Sequence, residues 1–160
     1  MFKTELYTGE RAEQYDLVIK QLTALLEGET NTIANLSNAS ALLNQFLERI
    51  NWVGFYLLEE NNELVLGPFQ GLPACVRIPL GQGVCGTAAE EQKSIVVEDV
   101  NAFAGHIACD PQSRSEVVVP ITKNNALFGV LDIDSPETNR FDDVDKKYLE
   151  KFVKTLEKFL

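Results

Sequence analysis

Residues 115–135, SEVVVPITKNNALFGVLDIDS, constrain the fold more than any other stretch of the chain. They read as two strands rich in β-branched residues, joined at Lys123-Asn124-Asn125. The second strand ends in Asp132 and Asp134. Alternate residues of a strand point to the same side, so these two carboxylates share one face. That is an unusual ending for an apolar strand whose role is only structural. Just before the hairpin, the polar segment GHIACDPQSR carries Cys109 and Asp110, and Glu116 lies at the start of the first strand. A thiol and several carboxylates from neighbouring segments are therefore candidates to surround one pocket.

The rest of the chain supplies partners for this hairpin. Residues 8–27 are predicted as a helix opened by Thr8, with Leu17, Val18, Leu22, Leu25 and Leu26 as its apolar stripe and Gly28 beyond its end. A second helix is predicted from Thr32 to Arg49, with Ile33, Leu36, Leu43, Phe46, Leu47 and Ile50 on its buried side. From Asn51 the period changes. NWVGFYLLEE and ELVLGPFQG flank turn residues and read as an antiparallel hairpin, and CVRI (75–78) as a short third strand. LGQGVCGTAAEEQ is a glycine-rich turn leading into a short helix with Cys85, and SIVVEDV is a fourth strand. Residues 101–114 are a long irregular segment, a length that in a compact domain is often functional. DVDKKYLEKFVKTLEKFL, introduced by Phe141-Asp142, is an amphipathic closing helix. The expected architecture is a single α+β domain over residues 1–160. It has about six antiparallel strands with helices packed on one face, leaving the other face for loops and a ligand.

A chain of 160 residues can bury its own core without disulfide or metal. The net charge of −10 disfavours nucleic acid, whose phosphates need clustered Lys and Arg. Good solubility, or a small cationic or zwitterionic ligand, fits that charge better. No apolar run is long enough to span a bilayer and MFKTELYTGE has no signal-peptide pattern, so no membrane partner and a cytoplasmic location are expected. In that compartment three cysteines do not make a structural disulfide framework. A zinc site built from Cys75, Cys85, Cys109 and the single histidine, His106, would contain no CxxC or HxxxH pair, so no metal is expected. Three such thiols suggest redox chemistry, although cysteine also serves as a small buried apolar residue. The glycines of residues 81–86 are not followed by Lys-Ser/Thr, which argues against a phosphate cradle.

The element order resembles the GAF domain. More narrowly, NWVGFYLL, LGPFQGLPACVRIPLGQGVCGTAA, HIACDPQSRSEVVVPI and GVLDIDSP resemble the free methionine-(R)-sulfoxide reductases, from Thr8 to the closing helix. The resemblance implies reduction of the R epimer at sulfur of free, not peptide-bound, methionine sulfoxide. It further implies no bound cofactor, thioredoxin as external reductant and a homodimer formed through the helices. By the same resemblance Cys109 is the nucleophile and Cys75 or Cys85 the resolving thiol, with Cys75 preferred. Glu116, Asp132 and Asp134 become acidic ligands of the substrate, and Trp52 and Tyr56 its aromatic wall.

That chemistry asks for a thiolate that attacks sulfur, a proton for the departing oxygen, and a second thiol that condenses with the resulting sulfenic acid. Carboxylates close together raise one another's pKa, so Glu116 or Asp134 can stay protonated as a general acid while Asp132 takes the substrate ammonium. On pattern alone Trp52 and Tyr56, four apart in a strand, are core aromatics, and His106 is a solvated loop residue. Two other readings stand beside the enzyme: a non-catalytic GAF sensor of a small ligand, and a redox-sensing interaction module. Turnover with a reductant separates the three.

Overall fold

The computed structural model describes Phe2 and residues 7–160. Two helices come first, α1 (Arg11–Leu26) and α2 (Thr32–Phe46). α1 starts later than Thr8 because Gly9 takes a φ of +93°, which no helix continues through; Glu10 is the N-cap and makes no side-chain cap. Its buried residues are Tyr15, Val18, Leu22 and Leu26, with Leu17 and Leu25 partly exposed beside them. α2 is capped by Asn31, whose Oδ1 accepts from Ala34 N–H at 2.9 Å. It stops short of Arg49, whose φ of 58° is left-handed. Ile33, expected on the buried side, is exposed. The buried stripe contains Asn35, Leu36, Ala39, Leu42 and Leu43. At 3.6 residues per turn, Ile33 lies about 100° around the helix from the centre of that stripe.

Among the described residues, six strands form one antiparallel sheet. They are β1 (Trp52–Leu58), β2 (Glu63–Gly71), β3 (Arg77–Pro79), β4 (Ile95–Val97), β5 (Ser115–Lys123) and β6 (Ala126–Ser135), in the order β3-β2-β1-β6-β5-β4. The β5–β6 hairpin closes through Asn124 and Asn125, with φ of 53° and 61°. Left-handed conformations at both central residues match the twist of the flanking strands, and asparagine tolerates them. β3 starts at Arg77, not Cys75; the Cys75 carbonyl accepts instead from Tyr56 Oη at 2.9 Å. β4 ends at Val97, and a 3-10 turn follows at Val100–Ala102, capped by Asp99.

Alternation along the strands divides the sheet into two unlike faces. α1, α2 and α4 (Asp143–Glu157) cover one face, over a core that includes Leu22, Leu36, Phe55, Val117, Leu131, Ile133 and Phe152. α4 opens with a capping box: Asp142 accepts from the Val144 and Asp145 N–H groups, and Asp145 accepts from the Asp142 N–H. The short α3 (Gly83–Glu91) is the exception to helices on one face, for it packs on the other with Leu64, Ile78, Val118 and Val130. Gly86 lets α3 settle against β3, since a Cβ there would stand 2.4 Å from Pro79 O. Among the described residues, no helix is long and apolar enough to cross a membrane.

Candidate active site

The register of β1, β6 and β5 builds the floor of a pocket on the α3 face. Glu116 pairs across the ladder with Asp134, and Asp134 with Trp52, so the three stand in one row. The next row of the same face holds Val118, Asp132 and Gly54. Tyr56 follows on β1, opposite Val130. Cys85 from α3, and His106, Cys109 and Ser113 from the long loop, complete a cavity of about 40 Å³. The candidates from the sequence thus meet in one place, with Cys75 bonded to a lining residue.

Cys75 and Cys109 form a disulfide, their Cα atoms 5.4 Å apart. Cys85 remains a free, buried thiol whose Sγ lies 3.9 Å from Glu116 Oε1. The aromatic wall is anchored at its polar ends: Trp52 Nε1 donates to Leu72 O at 3.1 Å, and Tyr56 donates to Cys75 O. Trp52 stacks on Tyr56 and on Phe69, with ring centroids 5.8 and 5.1 Å apart. Both Trp52 and Tyr56 are buried, and both also line the cavity.

Sequence reasoning missed the support of the Cys109 loop. Asn51 Nδ2 donates to Asp110 Oδ2 at 2.9 Å and to Ser113 Oγ at 3.1 Å, while Asp110 Oδ1 accepts from Gln112 N–H at 2.8 Å. An acid followed two residues on by a free amide is a local turn signal, but nothing local points to Asn51. His106 is not a solvated loop residue: it lines the pocket, half-buried, with Nε2 3.9 Å from Glu116 Oε2.

The electrostatics follow from crowding acids in a dry place. Burial pushes Glu116 well above the usual carboxylate range, and Asp132 and Asp134 add to it. Asp134 is likewise pushed well up, by burial and then by Asp132 and Asp110. Asp132 is raised by burial, while polar contact with Glu116 and Cys85 and the charge of His106 hold it back. Burial, then Asp132 and Glu116, push the Cys85 thiol well up. Burial lowers His106, with Asp132 opposing. Asp132 Oδ1 is buried and has no hydrogen-bond partner among the described residues. Cysteine and histidine spacing points to no metal, yet donor atoms of Cys85, Glu116 and Asp132 lie within 4.8 Å of one another.

Fold and pocket together define a GAF domain, and the model of that domain matches residues 38–159. The free methionine-R-sulfoxide reductase of Escherichia coli (strain K12) is 52% identical over 160 residues, 100% of this chain and 92% of that protein. The structure of fRMsr of Staphylococcus aureus in its reduced form is 62% identical with a TM-score of 0.88, covering 91% of this chain and 94% of that one. The X-ray structure of free methionine-R-sulfoxide reductase from Neisseria meningitidis in complex with its substrate is 43% identical with a TM-score of 0.95, covering 99% and 95%. The chain belongs to the free methionine-R-sulfoxide reductase family of GAF domains.

Proposed function

We propose that this chain reduces the R epimer at sulfur of free methionine sulfoxide to methionine, with Cys109 as nucleophile and Cys75 as resolving thiol. The observation that carries this reading is the Cys75–Cys109 disulfide beside a pocket floored by Glu116, Asp132 and Asp134. The names of the relatives supply the substrate.

In this reading the Cys109 thiolate attacks the sulfoxide sulfur, and the oxygen passes to Cys109 as methionine leaves, giving a sulfenic acid. The Cys75 thiol then displaces that oxygen as water and forms the disulfide. A dithiol protein of the thioredoxin type attacks the disulfide, and exchange returns two thiols to the enzyme. Leu72 and Val76, exposed on either side of Cys75, offer such a protein apolar surface. Cys85 is left as a wall residue, since burial and the surrounding acids keep it a thiol.

The carboxyls divide the work by their environments. Glu116 and Asp134, pushed furthest up, hold the proton that the sulfoxide oxygen takes in the transition state. Asp132, raised less, is the ionised partner of the substrate ammonium, and its unpartnered Oδ1 is an acceptor ready for it. The Trp52 ring receives the S-methyl group, because sulfur–aromatic contacts are favourable by about 0.3–1.5 kcal/mol. Cytoplasmic residence and a homodimer through the helices complete the proposal; Ile33, exposed on α2, is an apolar side chain available to such an interface.

The test is turnover of free and N-acetylated methionine sulfoxide, each as separated epimers. A carboxylate paired with an ammonium gains about 1.5–3 kcal/mol, and a blocked amine leaves it desolvated and alone. The N-acetyl compound is expected to be used at least ~100-fold less efficiently, as a ~2.7 kcal/mol loss gives. Equal use of both compounds, or preference for the S epimer, would sink the reading.

A further inference from the structure

The cluster of Cys85, Glu116 and Asp132 has a geometry that binding an amino acid does not require. Three different elements, α3, β5 and β6, each bring one buried donor, and the three donor atoms lie within 4.8 Å of one another. Cys85 Sγ is 3.9 Å from Glu116 Oε1. In a tetrahedral zinc site, with thiolate sulfur at ~2.3 Å and carboxylate oxygen at ~2.0 Å, neighbouring donors stand roughly 3.5 Å apart. The Cys85–Glu116 edge is therefore near that of such a tetrahedron, and the other two edges are no longer than 4.8 Å.

A separate observation points to a cation. Asp132 is only 5% exposed, and its Oδ1 is buried without a hydrogen-bond partner. A buried carboxylate oxygen set beside another carboxyl and a thiol calls for a shared proton, an ordered water or a positive charge. His106 Nε2, 3.9 Å from Glu116 Oε2, adds a nitrogen donor at the edge of the cluster. The disulfide takes Cys75 and Cys109 out of competition for metal, which leaves Cys85 as the free thiol.

We infer that Cys85, Glu116 and Asp132 form a site for a divalent cation of borderline softness, with Zn²⁺ as the type. Mg²⁺ and Ca²⁺ do not suit it, because they take oxygen-only shells and one of the three donors is sulfur. Binding forms one metal–sulfur and two metal–oxygen bonds, and releases to solvent the thiol proton and any proton the carboxyls hold. The cation offsets most of the negative charge that the ionised donors would otherwise hold against one another. Since Glu116 and Asp132 are also given to the substrate, an occupied site blocks turnover; that consequence alone rests on the function proposed above.

The experiment uses the full chain carrying its Cys75–Cys109 disulfide, titrated with Co²⁺ and then Zn²⁺, without substrate. Equilibrium dialysis is expected to give stoichiometric metal. Co²⁺ should produce sulfur-to-metal charge-transfer absorption that Zn²⁺ abolishes and Mg²⁺ leaves alone. Cys85→Ser should remove that absorption and weaken binding at least ~10-fold, a loss that even an outer-shell partner can cause. Asp132→Asn, which keeps the thiol, should weaken binding yet retain the absorption at saturating Co²⁺, and it serves if Cys85→Ser does not fold. Absence of stoichiometric binding, binding without the sulfur absorption, or binding that both variants leave unchanged overturns the site. Turnover of the reduced protein with and without Zn²⁺ separates the two proposals. No binding beside normal turnover ends the metal site and leaves the reductase standing. Binding as described beside unimpeded turnover keeps the site and overturns the block.

Discussion

Asp132 and Asp145 are both buried acids, on opposite sides of one sheet, and they are held in opposite ways. Asp145, at the first turn of α4, is 1% exposed and fully partnered. It accepts from Tyr15 Oη at 2.7 Å, from Asp142 N–H at 3.1 Å, and from Arg11 and Arg140 at 3.3 and 3.4 Å. Those bonds tie α4 to α1 and fix the layer of helices. Asp132 faces Glu116 and Cys85 instead, with one oxygen unpartnered. A buried charge with partners locks a fold, whereas one set among other acids burdens it and waits for a ligand. The contrast is written along β6 itself: Leu131 and Ile133 enter the helical core while Asp132 and Asp134 enter the pocket.

The largest expected effect lies on the pocket side. Cys109→Ser should lower turnover at least ~1000-fold, because a hydroxyl is a far weaker nucleophile at neutral pH. Its helical face is untouched, so the urea midpoint measured under reducing conditions should match that of the reduced parent. Cys75→Ser should give one equivalent of methionine and then stall with a thioredoxin-type reductant. Near-normal activity in the first variant, or an unimpaired steady state in the second, would end these assignments.

On the helical side the loss should be one of stability alone. Asp145→Ala leaves the guanidinium of Arg140 without its carboxylate and should cost about 3–5 kcal/mol, read from urea unfolding. Turnover per folded molecule should stay the same. A large drop in turnover at full folding would show that the two faces are coupled more tightly than their packing suggests.

Asp132→Asn should have the opposite sign. Removing a buried charge with an unpartnered oxygen should raise stability by about 1 kcal/mol while weakening use of the free amino acid and narrowing its gap to the N-acetyl compound. If this variant is less stable than the parent, Asp132 is a structural acid like Asp145.

The smallest effects are in the pH dependence of stability, and the two regions should again differ in sign. Glu116 is raised in the folded state, so as pH climbs above about 4.5 the unfolded chain loses that proton first and stability falls. Glu116→Gln should flatten that fall. The Arg11 guanidinium holds Asp142 down at about 2, against an ordinary 3.8. Its stabilisation is present above the ordinary value and is lost as pH falls toward about 2. Asp142→Asn keeps a capping residue, so it should cost no more than about 1 kcal/mol at pH 7, as for an exposed ion pair, and clearly less at pH ~2. Unfolding curves across that range for both variants check the signs; parallel profiles would erase the distinction.

What the sequence determined by itself was whatever rests on neighbours along the chain. The period-two pattern of β5 and β6, the paired asparagines of their turn and the amphipathic period of α4 are local, and each reads directly from residue order. Local patterns also gave wrong edges. Thr8 looked like a cap because the left-handed turn at Gly9 is not visible in the order of residues, and Ile33 looked buried because it sits at the margin of its stripe. Tertiary structure alone decided which thiol meets which: Cys75 reaches Cys109 across 34 residues, while Cys85, ten residues nearer, ends against Glu116. It likewise brought Asn51 to Asp110, 59 residues away, and left Asp132 Oδ1 without a partner. Periodicity fixes the side of the strand to which a side chain points. What it meets there depends on how α3 and the long loop close over the sheet, and that closure is set by the packing of the whole chain.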